Sequence, residues 1–241
     1  PGAVFDTSIG WRFANPRLAA RDKATFSMPE TAEEVARLDG ITRTDADAFA
    51  LRSHQRAIAA IDAGRLAPEI IAVPAPKGEI DTDEGPRRDT TLEALAGLRP
   101  VVAGGSVVTA GNASSLNDGA SAIVVAGSAA VERHGLVPRA RIIASASAAL
   151  APEIMGLGPV PATEKALAKS GLTVADLGAV ELNEAFATQS LASMRRLGLD
   201  PEIVNADGGA IALGHPLGSS GCRILVTLLG RMEREGARYG L

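Results

Sequence analysis

The chain has 241 residues, 46% of them hydrophobic and 22% charged, so it is long and apolar enough to bury one large core or two small ones. Its net charge of −4 is the wrong sign for a phosphate-backbone binder, and aromatics at 3% leave little to stack on single-stranded bases, so no nucleic-acid partner is expected. No run of about 18 apolar residues offers a membrane span, and a single cysteine excludes an intrachain disulfide. No secretory signal is visible behind Pro1, which fits a cytoplasmic location.

Residues 1–30 carry little periodicity and read as an irregular surface segment, with Trp11 and Phe13 either packed under a loop or exposed toward a partner subunit. Thr31 and Glu34 have the spacing of a capping box and predict a helix that stops at Gly40. Thr42 with Asp45 starts a second helix, which buries Phe49, Ala50, Ala57, Ile58 and Ile61 and stops at Gly64. A short strand is expected over 69–73, a mobile surface loop over 76–89, and a helix from Thr90 to Gly97. Beyond about residue 117 the texture changes to strand–helix alternation. Strands are expected at 123–126, 141–145, 178–182 and near Ile203, and helices up to Gly135 and over 161–170, 185–197 and 219–235. In the last helix Ile224, Leu225, Leu228, Leu229 and Met232 form a stripe spaced for burial. Apolar strands alternating with helices predict a layered α/β fold with a parallel or mixed sheet, and the helix-rich first 115 residues read as a separate domain.

Three segments at the ends of predicted elements hold the small and polar residues from which a site could be built, and the carboxyl ends of strands are where open α/β sheets bind ligands. Thr109-Ala-Gly-Asn-Ala-Ser114 lets a ligand approach the backbone and offers the Asn112 amide and the Ser114 hydroxyl, or is only a tight turn. In Asn183-Glu-Ala-Phe-Ala187, Asn183 is either the cap of the next helix or half of a polar pair that needs a task in its crevice. The third runs from Gly208 to Gly221 and sets His215 between Gly214 and Pro216 on a rigid, unobstructed backbone. His54 and His134 fall in helices and read as solvated, which leaves His215 as the acid/base or hydrogen-bond donor. Cys222 reads as a small apolar residue rather than a nucleophile. The histidines have no companions at metal-ligand spacing, so no metal is expected.

Together and in this order, the three segments resemble motifs of the thiolase family: TAGNAS at 109–114, NEAFA at 183–187, and N-x-x-GGAIA-x-GHP-x-G-x-SG at 205–221. Residues 48–53 and the stretch from Met155 to Pro159 are also similar. Gly10-Trp-Arg-Phe13 and Ser27–Ala32 resemble the 3-oxoadipyl-CoA branch. The resemblance implies an incomplete layered α/β core with a helix-rich loop domain. That loop domain would be residues 1–116, covering coenzyme A and making oligomer contacts. Residues 117–138 would end the N-terminal core half, and 139–241 would form most of the C-terminal half.

The resemblance further implies acyl transfer between a 3-oxoacyl-CoA and coenzyme A, which is a substrate and not a resident cofactor. It implies a homotetramer built as a dimer of dimers, with a degradative role in fatty-acid or aromatic breakdown. His215 aligns with the histidine of an oxyanion hole and Asn183 with the residue that fixes that hole's water. Ser114 and Ala110 align with positions on the pantetheine, and Met155 and Phe186 with apolar positions near the acyl end. Glu30 stands where many biosynthetic relatives have a histidine. The family also uses two cysteines, in motifs that this sequence does not contain; Cys222 matches neither. The expectation is therefore part of a longer enzyme, inactive alone. The alternative is a non-condensing, sterol-carrier-type relative that binds acyl-CoA, although Asn183 argues against it.

Overall fold

The computed structural model describes residues 14–76 and 78–241, so the expected Trp11–Phe13 patch lies outside the described residues. The first described element is α1 (Pro16–Ala19), capped by Asn15, whose Oδ1 accepts from the Arg17 N–H at 2.9 Å. Helix α2 (Met28–Asp39) starts four residues before the expected point. Its capping box is Ser27 with Glu30, not Thr31 with Glu34: the Glu30 carboxylate accepts from both the Ser27 N–H and the Ser27 hydroxyl at 2.7 Å. Thr31 instead donates back to the Met28 carbonyl at 2.7 Å, and Glu34 is taken up by Lys23 and Arg37. The helix ends as expected at Gly40, in the left-handed conformation that glycine adopts at low cost.

Helix α3 (Arg43–Asp62) follows its signals closely, with Thr42 and Asp45 capping each other and Gly64 at φ +67° just past its end. Phe49, Ala50 and Ala57 are buried as expected, while Ile58 and Ile61 are only partly covered. The strand expected over 69–73 is displaced. A 3-10 turn occupies 67–69, and β1 (Val73–Ala75) pairs antiparallel with β2 (Gly78–Ile80) inside the expected loop. Helix α4 (Leu92–Ala96) is capped by Thr91 rather than Thr90.

In the second half, α5 (Ser128–His134), α6 (Pro159–Ser170), α7 (Ala187–Leu197), the short α8 (Ala210–Leu213) and α9 (Ser220–Glu235) lie where helices are predicted, apart from α8. A parallel ribbon runs between them. The Val180 N–H donates to the Ile203 carbonyl and the Asn205 N–H to the Val180 carbonyl, both at 2.9 Å, while on the other side the Glu181 N–H donates to the Leu241 carbonyl at 2.8 Å. The strands expected at 123–126 and 141–145 have no ladder among the described residues. They are uncovered, with Val124 88% and Ile142 71% exposed. An apolar run says that a segment suits burial; it does not supply the neighbouring strand.

The core gathers Val35, Ala36, Phe49 and Ala50 from α2 and α3, Ala192 and Met194 from α7, and Val180 and Val204 from the ribbon. Helix α9 departs from the expected apolar stripe. Leu228 is buried and Leu225 exposed, and Arg231 is among the most deeply buried side chains. Its guanidinium donates to Glu181 at 2.7 Å and to the carbonyls of Val180 and Ile203 at 3.1 Å, fastening the helix across two strands of the ribbon. Burial lifts the Glu181 carboxyl to about 7 even with that guanidinium against it. Such an arrangement pairs buried charge through Glu181 Oε1 instead of adding apolar area, and leaves Oε2 without a partner among the described residues.

Candidate active site

The three glycine- and asparagine-bearing segments meet at the ribbon's end. Backbone pairing brings 112–114 to 185–187: the Ser114 N–H donates to the Ala185 carbonyl at 3.0 Å and the Ala187 N–H to the Asn112 carbonyl at 2.9 Å. The stretch after Ser114 then reaches the third segment, where the His215 N–H is shared between the Ser115 carbonyl at 3.1 Å and Asn117 Oδ1 at 3.3 Å. Gly214, at φ +96°, lets this happen, because a Cβ there would overlap the Asn117 side chain.

Asn183 and His215 face each other, with Asn183 Nδ2 3.4 Å from His215 Nε2, a contact too long for a strong hydrogen bond. The helix after Asn183 does not use its amide: α7 begins at Ala187 with Phe186 in the cap position and no side-chain cap bond. Asn183 Oδ1 is buried without a hydrogen-bond partner among the described residues. On the far side of the ring, His215 Nδ1 lies 2.6 Å from Ser220 Oγ. Partial burial of the imidazole, with the Arg223 cation adding to it, pushes its pKa below the ordinary histidine value, so the ring is neutral at pH 7.

Behind this pair sits Glu184, fully enclosed. Its carboxylate accepts from the Ser53 hydroxyl at 2.6 Å, Asn205 Nδ2 at 2.8 Å and the Ile211 N–H at 3.2 Å, and burial pushes its pKa up against those bonds. The Ser53 hydroxyl also accepts from the Gly209 N–H at 3.2 Å. A Cβ at Gly209 would overlap the Glu184 carboxylate, so bare backbone is required there. Asn205, at φ +48°, uses its amide as a further rung of the ribbon: Oδ1 accepts from the Leu182 N–H at 2.8 Å and Nδ2 donates to the Leu182 carbonyl at 2.7 Å. Glu184, Asn205, Ser53 and Ser220 thus fix the loop that carries His215. Sequence reasoning gave none of them that task. The available signal was the cost of leaving a carboxylate at a buried strand–helix joint without partners.

Of the six expected site residues, Ser114, Asn183, Phe186 and His215 belong to this connected cluster. Phe186 bridges to Ala113, and the Ser114 hydroxyl donates to the Ala185 carbonyl at 3.1 Å. Ala110 and Met155 lie exposed on two other turns, Met155 within the 3-10 stretch 152–157. Asn112 is not a free ligand group: its Oδ1 accepts from the Thr109 N–H, and its Nδ2 donates to Asp47 and to the Val107 carbonyl, all at 2.9 Å. His54 is buried rather than solvated, and its Nδ1 accepts from the Arg87 N–H at 3.1 Å. His134 is exposed as expected and Cys222 is half-buried. Among the described residues, no group of three His, Cys, Asp or Glu side chains could hold a metal, and no helix is long and apolar enough to cross a membrane.

Comparison with known proteins gives the family. Two family profiles match, "Thiolase, N-terminal domain" over residues 18–129 and "Thiolase, C-terminal domain" over 136–241. The beta-ketoadipyl-CoA thiolase of Pseudomonas aeruginosa is 54% identical across 99% of this chain and 61% of its own length. The 3-oxoadipyl-CoA/3-oxo-5,6-dehydrosuberyl-CoA thiolase of Escherichia coli K12 is 51% identical over the same shares. The chain therefore spans about three-fifths of the length of the curated relatives it matches. Among solved structures, human mitochondrial 3-ketoacyl-CoA thiolase superposes with a TM-score of 0.87 at 45% identity, covering 91% of this chain and 56% of that one. The helices on a small parallel ribbon are thus an incomplete thiolase-like α/β core, and the chain belongs to the thiolase family.

Proposed function

We propose that the protein carrying this chain is an acyl-CoA thiolase. It transfers an acyl group from a 3-oxoacyl-CoA to coenzyme A, releasing acetyl-CoA in a reverse Claisen cleavage. The observation that carries this reading is the meeting of Asn183 and His215 in front of a fully partnered Glu184. Breaking the carbon–carbon bond leaves the two-carbon fragment as a thioester enolate, whose oxygen gains charge in the transition state. A neutral imidazole N–H and a water held by the Asn183 amide are donors suited to that oxygen, and such a donor is worth about 3–4 kcal/mol. Ser114, Ala110, Met155 and Phe186 are proposed to contact the pantetheine and the acyl chain. Acyl carriage and proton transfer are assigned to cysteines outside these 241 residues, since Cys222 lies on α9.

The names of the bacterial relatives make a 3-oxoadipyl thioester the first substrate to try, within aromatic breakdown. The reading extends to a cytoplasmic homo-oligomer with the loop domain over residues 1–116, the end of the N-terminal core half over 117–138 and the C-terminal half over 139–241. The test is to incubate the complete protein, including the residues that flank this chain, with coenzyme A and either 3-oxoadipyl-CoA or acetoacetyl-CoA, and to follow the products by chromatography. Formation of acetyl-CoA supports the reading. Binding of coenzyme A with neither thioester consumed would sink it and favour the non-condensing alternative.

A further inference from the structure

The task proposed for His215 requires its ring proton on Nε2, the nitrogen that faces Asn183, and a neutral imidazole has only one ring proton to place. What stands at Nδ1 therefore decides whether the ring can work as a donor. That group is the buried hydroxyl of Ser220, 2.6 Å away.

The hydroxyl has one proton and two acceptors in reach, His215 Nδ1 at 2.6 Å and the Pro216 carbonyl at 3.0 Å. The carbonyl already accepts from the Ser219 and Ser220 N–H groups, both at 2.9 Å, which occupies its two lone pairs. Nδ1 has no other protein partner among the described residues and is the nearer of the two. We propose that Ser220 is a positioning residue that sets the tautomer of His215: its hydroxyl donates to Nδ1 and holds the ring proton on Nε2. With the ring proton on Nε2, the end of the Asn183 amide that accepts from it is the oxygen, so the proposal places Oδ1 toward the ring. In the structure as it stands Nδ2 faces the ring at 3.4 Å. The catalytic part of this inference rests on the thiolase reading above; the tautomer itself does not.

The experiment is a long-range proton–nitrogen correlation spectrum of the protein labelled with 15N in its histidines, at a pH where the ring is neutral. His215→Gln identifies the signals of residue 215. The expected pattern is an unprotonated Nδ1 and a protonated Nε2. Ser220→Ala should blur it toward a tautomer mixture, and Ser220→Thr, which keeps the hydroxyl, should preserve it. In the thiolysis assay of the complete protein Ser220→Ala should lower kcat by about 10- to 100-fold with KM changed by about twofold or less, and Ser220→Thr should recover most of the loss. A protonated Nδ1 in the unsubstituted protein overturns the proposal. So does a Ser220→Ala protein that melts normally and keeps both the pattern and the kcat. A protein with no thiolase activity would remove the functional reading while leaving the spectrum to decide the tautomer.

Discussion

Asn183 and His215 are 32 positions apart in the chain and 3.4 Å apart in the fold, amide against imidazole. Neither residue reaches the other by local structure. Asn183 ends a strand of the parallel ribbon, and His215 follows a glycine whose bare backbone lies on Asn117. Replacing either should therefore remove a donor and leave the scaffold standing. In the complete protein His215→Ala is expected to lower kcat for thiolysis about 100-fold or more with a smaller change in KM, and Asn183→Ala to act in the same direction. Steady-state kinetics of the two variants checks this; unchanged turnover in His215→Ala would remove the imidazole from the reaction.

Glu184 makes a prediction about stability. All three of its partners donate, so an amide in its place would set an NH2 group against hydrogen-bond donors. Glu184→Gln is expected to cost about 1–3 kcal/mol, read as a lowered denaturant midpoint. A midpoint equal to that of the unsubstituted protein would show that the carboxylate is not what holds this loop.

Acid should weaken the packing between α2 and the residues before it. Hydrogen bonds from Arg37, then Lys23, hold the Glu34 carboxyl at about 2, against an ordinary value of 4.5. A carboxyl depressed in the folded state adds stability that is complete above about 4.5 and drains away as the pH falls toward 2. Glu34→Gln should therefore be less stable than the unsubstituted protein at pH 6, with the gap closing near pH 2–3. Melting curves across that range test it, and a gap independent of pH would be the wrong result.

His54 acts in a different window. Burial, helped by the Arg87 cation, pushes its pKa below 6.5, and its Nδ1 must stay bare to accept the Arg87 N–H. Above about pH 6.5 neither the folded nor the unfolded ring is charged. Below it the unfolded chain takes up a proton that the folded one resists, so stability falls on acidification. His54→Phe should show a smaller drop in melting temperature between pH 7 and 5 than the unsubstituted protein. His215, also depressed, supplies part of the remainder. Equal drops in the two proteins would contradict this account.

The local rules were legible wherever a single turn of chain decides the outcome. Thr42 and Asp45 start α3, and Gly40 and Gly135 end their helices in the left-handed conformation. The candidate site was legible in a different way, as three segments rich in small and polar residues at element ends, which the fold brings together. What the residues could not reveal was partnership. Ser27 and Thr31 both stand three residues before a glutamate, and the choice between them turns on Glu34 being taken by Lys23 and Arg37. His54 sits on a helix like a surface residue, yet the backbone of residue 87 covers it. Arg231 interrupts an apolar stripe because Glu181 and two strand carbonyls, some fifty and thirty positions away, accept its protons. The apolar runs at 123–126 and 141–145 show the converse, since each has the composition of a strand and no ladder among the described residues.

The bare α-carbon at position 209 ties the fate of two distant codons together. The room that a methyl group would need is filled by the carboxylate at 184, so enlarging the one means evicting the other. Eviction would release Ser53, Asn205 and the amide of residue 211 at a stroke. A lineage can drift at 209 only after 184 has been shortened, and it would then have given up the brace for its histidine. Descendants that keep the glutamate are thus bound to keep the glycine, and the two letters should be read as one inherited character.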